Sequence, residues 1–329
     1  MAKVVLGIGT SQSSILGIPP EHWADRGKKD MGSQRIFRAD GTKVSYAELA
    51  AEVGDKYADR IVEPRVSAFF TGSRKAVKRL ADDIARAQPD LLVVIADDQA
   101  ELFDRVSMPA VSIYRGAHLT TARKDLPEGA PDWMQAWYGI HKIDRSRNYP
   151  AAPELADELI EKLIAREFDV AAVGEPVNPD KGIGHAWAFV PNMLCNGRTI
   201  PILPVVLNTW YAPNVPTLAR CYKLGQALRA ALDESPRDLR VGIIASGGMS
   251  HHLINEDLDR QVLKAMQTGD EATLVNLPLE ALYGGTCQVR DWIVLAGALG
   301  GLKSQWAEYW PGYRTPAGTG VGLGFASWS

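Results

Sequence analysis

The sequence predicts an α/β fold: one domain over residues 1–329, with a central mixed sheet and helices on both faces. Three observations carry this expectation. Short, continuous apolar runs, Val4–Ile8, Leu91–Ile95, Ile202–Leu207 and Val241–Ala245, read as strands buried on both faces. Amphipathic stretches separate them, and strands alternating with helices build a layered sheet. Polar residues follow the strands at Gln12, at Asp97–Gln99 and at Ser246–His252, so they gather along one sheet edge. Ligands usually bind at that edge in such folds.

In chain order, the first strand ends at Gly9-Thr10. Residues 17 to 75 mix Pro, Gly, Trp and charge, and within them Ser45-Tyr46-Ala47-Glu48 matches a capping box that opens a short helix. Residues 74 to 88 form an amphipathic helix, with Val77, Leu80, Ala81, Ile84 and Ala87 on one stripe. Pro109–Tyr114 reads as a strand. Residues 115 to 150 are polar, carry His118 and His141, show no clean period and suit a lid or binding loop. A helix from Pro153 to Arg166 follows, then a strand at Asp169–Val173. Further helices are expected at 217–232, 257–267 and 289–300. Tyr313–Gly320 reads as a glycine-rich tail that leads to Phe325-Ala326-Ser327-Trp328.

Composition narrows the function classes. The 329 residues are 46% hydrophobic and 23% charged, enough to bury a substantial core. A net charge of −3 gives no basic field for nucleic acid or an anionic membrane. No uncharged apolar run reaches the length of a membrane span, about 18 residues. Met1-Ala2-Lys3 runs straight into a strand, unlike a secretory signal. Cys195, Cys221 and Cys287 are odd in number and widely spaced, which suits a reducing cytoplasm better than disulfides or a zinc site.

The stretch Ser246-Gly247-Gly248-Met249-Ser250-His251-His252 is the strongest local candidate for a site, with a tight turn as its plain alternative. Two glycines let the backbone turn or approach a ligand closely. Two of the six histidines follow at once. His185 sits in a second glycine-flanked segment, Lys181–Trp187, and Asn208–Asn214 is a loop rich in aromatic and amide groups.

These segments carry a family resemblance. Gly7-Ile-Gly-Thr-Ser-Gln12, Val94-Ile-Ala-Asp-Asp-Gln99, Gly184-His185, Ser246-Gly-Gly-Met-Ser-His251 and Gly285-Thr-Cys-Gln288 stand in the order and spacing of the class III (LigB-type) extradiol dioxygenases. The likeness covers nearly the whole chain and is closest to the branch around 3-O-methylgallate dioxygenase. It implies a mononuclear Fe(II) held by two histidines and a glutamate, with open positions for a catecholic substrate and dioxygen. It also implies an acid/base role for His251 and a substrate-orienting role for His185. Relatives of the fold are often homodimers.

The chain departs from the family pattern at the ligands. Gln12 stands at the first histidine position, Gln99 at the second, where the related branch itself often has Asp-Gln, and Gln288 at the glutamate. Three neutral amides supply neither imidazole nor charge, so loss of the metal is expected. A displaced site would have to draw on Asp97, Asp98, His251 or His252. The expected protein is therefore an enzyme without a metal or other cofactor, acting on a phenolic aromatic acid or ring-derived compound by hydrolysis, C–C lysis, decarboxylation or tautomerisation. His251 and His185 would move protons, and Gln12, Gln99, Gln288, Asp98, Trp187, Trp210 and Tyr211 would bind substrate. Arg314 and Arg220 are further candidates for a substrate carboxylate, with surface salt bridges as their plainer use. An Fe(II) dioxygenase with altered ligands is the alternative, and a non-catalytic partner subunit the third reading.

Overall fold

The computed structural model describes residues 1–329 except 105, 122–124, 142–144, 177–179 and 181. Its main sheet has nine strands. They are β1 (Lys3–Thr10), β2 (Leu91–Asp97), β3 (Val111–Tyr114), β4 (Ala171–Val173), β5 (Ile202–Leu207), β6 (Arg240–Ser246), β7 (His251–Leu253), β8 (Ser304–Tyr313) and β9 (Thr319–Trp328). The order is β7-β9-β1-β6-β2-β5-β3-β4, with β8 also on β9. The central run β1-β6-β2-β5 is parallel, while β3 and β9 join it antiparallel, so the sheet is mixed as expected.

Alternation along the strands feeds two cores. Leu91, Val93 and Ile95 point to one face with Leu203, Val205, Val241 and Ile243. There they meet α2 (Pro153–Ile164), α3 (Leu218–Asp233), α4 (Glu256–Thr268) and α5 (Val289–Ala298). Leu92, Val94 and Ala96 point to the other face, under α1 (Glu63–Ala87). This is the two-residue period of a strand buried on both sides.

α1 starts eleven residues before the helix that the sequence pattern marks at 74. Pro64 suits its first turn, and burial of Val66 and Phe69 extends it through Gly72. Five buried apolar side chains on it (Val66, Phe69, Val77, Leu80, Ile84) contribute about 10 kcal/mol before conformational entropy. That outweighs the helix's polar composition.

Two regions differ from the sequence expectation. Within residues 115 to 150, where the sequence shows no clean period, the described residues include regular elements: His118–Thr121 pairs with Arg147–Pro150, and a helix spans Asp132–His141 against Ser14–Gly17. His118 is exposed, and the side chain of His141 lies outside the described residues. The glycine-rich tail runs from the last residue of β8 through a short connection into the ten-residue strand β9, every residue of which is buried. Its glycines hide the strand pattern because the packing leaves no room for side chains. A Cβ at Gly322 would overlap the Asp259 carboxylate.

Candidate functional site

The C-terminal ends of β1, β6 and β2 bring Gln12, Gly247-Gly248 and Asp97 to one edge. β1 and β6 run side by side to Thr10 and Ser246, and the Gly247 N–H donates to the Thr10 carbonyl. β6 and β2 pair to Ala245 and Ile95. The short Gly284–Gln288 turn, which leads into α5, lies over this edge.

Gln288 bridges the edge. Its Oε1 accepts the Gly248 N–H at 2.7 Å, and its Nε2 donates to Asp97 Oδ1 at 2.7 Å. Both ends of the amide are engaged, and the residue is 2% exposed. A carboxylate in its place would accept at the Gly248 end but have nothing to donate to Asp97. Thr209 Oγ1 donates to the second Asp97 oxygen at 3.3 Å. Burial raises the Asp97 pKa to about 6, against the hydrogen bonds and the charge of His185.

Gln12 behaves otherwise. It is 4% exposed, and its buried Oε1 has no hydrogen-bond partner among the described residues. Gln99, two residues beyond Asp97, is exposed and does not join Gln288 and Asp97. Both Asp98 oxygens accept backbone amides, from Glu101 and Leu102 at Oδ1 and from Phe103 at Oδ2, so that carboxylate caps the turn after β2.

His251 opens β7, which pairs with β9 at Val321. Its N–H donates to Thr286 Oγ1, and its Nδ1 lies 3.2 Å from the Met249 carbonyl. A carbonyl only accepts, so Nδ1 carries the proton and Nε2 presents a lone pair. Gly248 and Gly285 leave room for the ring, since a Cβ on either would overlap it. Burial lowers the His251 pKa to about 4, and positive charge on Arg314, Arg26 and His185 adds to the effect despite the Met249 contact. His252 packs edge-on at 6.0 Å, with φ +66°. Behind β7, Asp259 accepts Ser250 N–H, Ser250 Oγ–H at 2.5 Å and Tyr309 O–H at 2.6 Å. The histidines thus form a strand, and Asn255 caps the helix that follows.

His185 begins a short helix, His185–Phe189. The Ala186 carbonyl accepts the Ser246 hydroxyl at 2.8 Å, which ties that helix to the end of β6. Its Nδ1 lies 2.9 Å and 3.1 Å from the two oxygens of Glu101. Trp187 is buried, and its Nε1–H donates to the Val94 carbonyl. Trp210 and Tyr211 are half-buried on a turn held by Asn208, and the Arg35 guanidinium stands 5.8 Å from the Trp210 ring.

The expected surface role of Arg314 needs correction. It is 7% exposed and donates to Asp30 at 2.8 Å and to the Gly320 carbonyl. Burial acts against ionised Asp30, but Arg314 and Arg26 more than offset it and hold the carboxyl below its usual range. Arg220 lies over the Phe168 ring and donates to the Glu167 carbonyl. Sequence reasoning missed Glu101 and Thr209. The cluster of acids after β2 (Asp97, Asp98, Glu101) was the available signal for the first. It also missed Asp291, fully buried beneath Gly247, with neither oxygen hydrogen-bonded among the described residues and its pKa pushed well up by burial.

With this geometry in place, comparison with known proteins gives a direct result. The profile of the catalytic LigB subunit of aromatic ring-opening dioxygenase matches residues 65–324. The chain belongs to the LigB family. Among curated relatives, it is 30% identical over 181 residues to gallate dioxygenase of Pseudomonas putida, covering 51% of this chain and 50% of that protein. It is 28% identical over 177 residues to 2,3-dihydroxyphenylpropionate/2,3-dihydroxicinnamic acid 1,2-dioxygenase of Comamonas testosteroni, covering 54% of this chain and 48% of that protein. This LigB chain thus spans about half the length of the curated relatives it matches. No helix among the described residues is long and apolar enough to cross a membrane, and all three cysteines are free and buried.

Proposed function

We propose that this LigB protein is a metal-independent enzyme that uses histidine acid/base chemistry on a phenolic aromatic acid or a compound derived from one. The observation that carries the reading is the Gln288 bridge. At the position where the family resemblance implies an anionic iron ligand, a neutral amide is committed at both ends, to Gly248 and to Asp97. Ferrous iron in this setting takes two imidazoles and a carboxylate on one face. The donors here do not fit it: Gln12 and Gln288 are amides and Gln99 is exposed. Among the described residues no group of three or more His, Cys, Asp or Glu side chains is placed to hold a metal ion.

The retained groups suit proton transfer. His251 commits Nδ1 to the Met249 carbonyl, which leaves Nε2 as its proton-handling atom, and His185 holds Nδ1 against the Glu101 carboxylate. A substrate hydroxyl gives its proton to an imidazole Nε2, and the same nitrogen returns it to carbon or to the leaving group. No oxidant is consumed. The Gln12 carbonyl, without a partner among the described residues, suits a protonated phenol, and Trp210 and Tyr211 offer ring faces. Hydrolysis, C–C lysis, decarboxylation and tautomerisation all remain within this chemistry.

An iron-dependent ring-cleaving dioxygenase is the second reading, favoured by the names of the relatives. Metal analysis after anaerobic incubation with ferrous iron, with gallate and other hydroxybenzoates assayed under argon and EDTA, separates the two. The proposal expects less than about 0.1 iron per chain and substrate loss without oxygen uptake. Stoichiometric iron with oxygen consumption would overturn it.

A further inference from the structure

The two site histidines are not equivalent, and the difference lies in what holds them. His251 has a backbone carbonyl at Nδ1, which orients the ring but adds no negative charge. His185 has a carboxylate, with both Glu101 oxygens within 3.1 Å of Nδ1. Glu101 Oε2 also accepts the His185 backbone N–H at 3.2 Å, so one carboxylate fixes both the ring and the chain that carries it.

The surroundings of Glu101 are built for this contact. Ala100 takes a positive φ of 64°, at the bend where the chain leaves β2. Asp98 accepts the amide of Glu101 and those of the next two residues, which holds the turn rigid. On the other side, residue 184 must be glycine: a Cβ there would stand 2.8 Å from Glu101 Oε2 and 2.7 Å from the Trp187 ring. Glu101 and His185 side chains are 14% and 26% exposed, so the pair is sheltered without being sealed.

We infer that Glu101 is a positioning residue that makes His185, rather than His251, the general base of the site. The carboxylate fixes the Nδ1–H tautomer and stabilises the imidazolium formed when Nε2 takes a proton. Glu101 keeps its charge throughout, and the proton leaves again from Nε2. His251 then serves as a neutral acceptor that orients the substrate hydroxyl. The catalytic part of this inference rests on the function proposed above; the tautomer does not.

The test therefore has two readouts. In protein with ¹⁵N-labelled histidine rings, with His185 assigned through His185→Gln, the neutral ring should show a protonated Nδ1 and an unprotonated Nε2. Glu101→Met, similar in length but without a strong acceptor, should shift the tautomer ratio at least tenfold towards Nε2–H. Glu101→Gln, whose amide oxygen still accepts, should restore Nδ1–H. An Nε2–H ring in the wild type, or an unchanged ratio in Glu101→Met, would overturn the pairing. Should Glu101→Met not fold, the wild-type tautomer still decides it. With a hydroxybenzoate that is turned over, Glu101→Gln should lower kcat about 100-fold and leave KM within threefold. Wild-type kcat in that variant would overturn the role of the pair as base. If no hydroxybenzoate is turned over, the proposed function fails, and the tautomer still decides the pairing.

Discussion

Gln288 and Gln12 are the same residue type, both buried, at the same edge of the same sheet, and they do opposite things. The amide of Gln288 is closed between the Gly248 N–H and the Asp97 carboxylate. The carbonyl of Gln12 meets no donor among the described residues. A buried polar atom without a partner costs roughly 1–3 kcal/mol relative to a satisfied one. The corner around Gln288 is therefore assembled in the protein itself, whereas the Gln12 carbonyl is left unmatched among the described residues. A substituted position in a site can thus become framework or remain a place for a ligand, and only the partners tell which.

Three substitutions probe that contrast. The largest effect is expected for Gln288→Glu, which sets two buried carboxylates against each other and removes the donor to Asp97. Unfolding free energy should fall by about 3 kcal/mol at pH 8, in denaturant melts. Part of the loss should return near pH 5, where the pair shares a proton. A variant as stable as the wild type at pH 8 would break the bridge account.

Asp97→Asn should act in the opposite direction. The folded-state pKa of about 6 lies above the ordinary aspartate value of 3.8. As pH falls through this window, the folded state takes up a proton before the unfolded chain does, so this carboxyl makes the wild type more stable. Above pH 6 it makes the fold less stable than a neutral group would. Asn keeps an oxygen for Gln288 and has no such term, so at pH 8 it should gain about 2 kcal/mol over the wild type, shrinking towards zero by pH 4. Paired melts at the two pH values check it, and a pH-independent difference would refute it.

The smallest stability effect belongs to Gln12→Met. Removing a buried amide oxygen that has no partner among the described residues should leave the fold unchanged or up to about 1 kcal/mol more stable. Binding of a hydroxybenzoate, followed by calorimetry, should weaken about tenfold, the worth of one hydrogen bond. Equal affinity in the variant would remove Gln12 from the ligand contacts.

How much of this was readable in advance follows from physical pattern. β2, β5 and β6 were legible because strands buried on both faces make unbroken apolar runs. β9 was not, because Gly320, Gly322 and Gly324 stand where a strand usually carries side chains. At the site, glycine–histidine patterns marked the neighbourhoods of His185 and His251. Glu101 looked like any acid in a solvated loop. Its role depends on a contact across 84 residues of chain, which no local period records. The engagement of Gln288 was equally invisible, since the amide that bridges and the amide that waits have the same sequence signature.

The strand that carries His251 finds its sheet partner in residues 319–321, nearly seventy positions later. During synthesis β1, β6 and β2 can pair while that partner is still inside the ribosome. The strand pairing of His251 forms only once β9 has emerged and docked between β8 and β1. In a chain built in this order the scaffold precedes its chemistry, and a nascent protein stalled before residue 319 would hold only the six strands β1-β6-β2-β5-β3-β4, with the His251 strand unanchored.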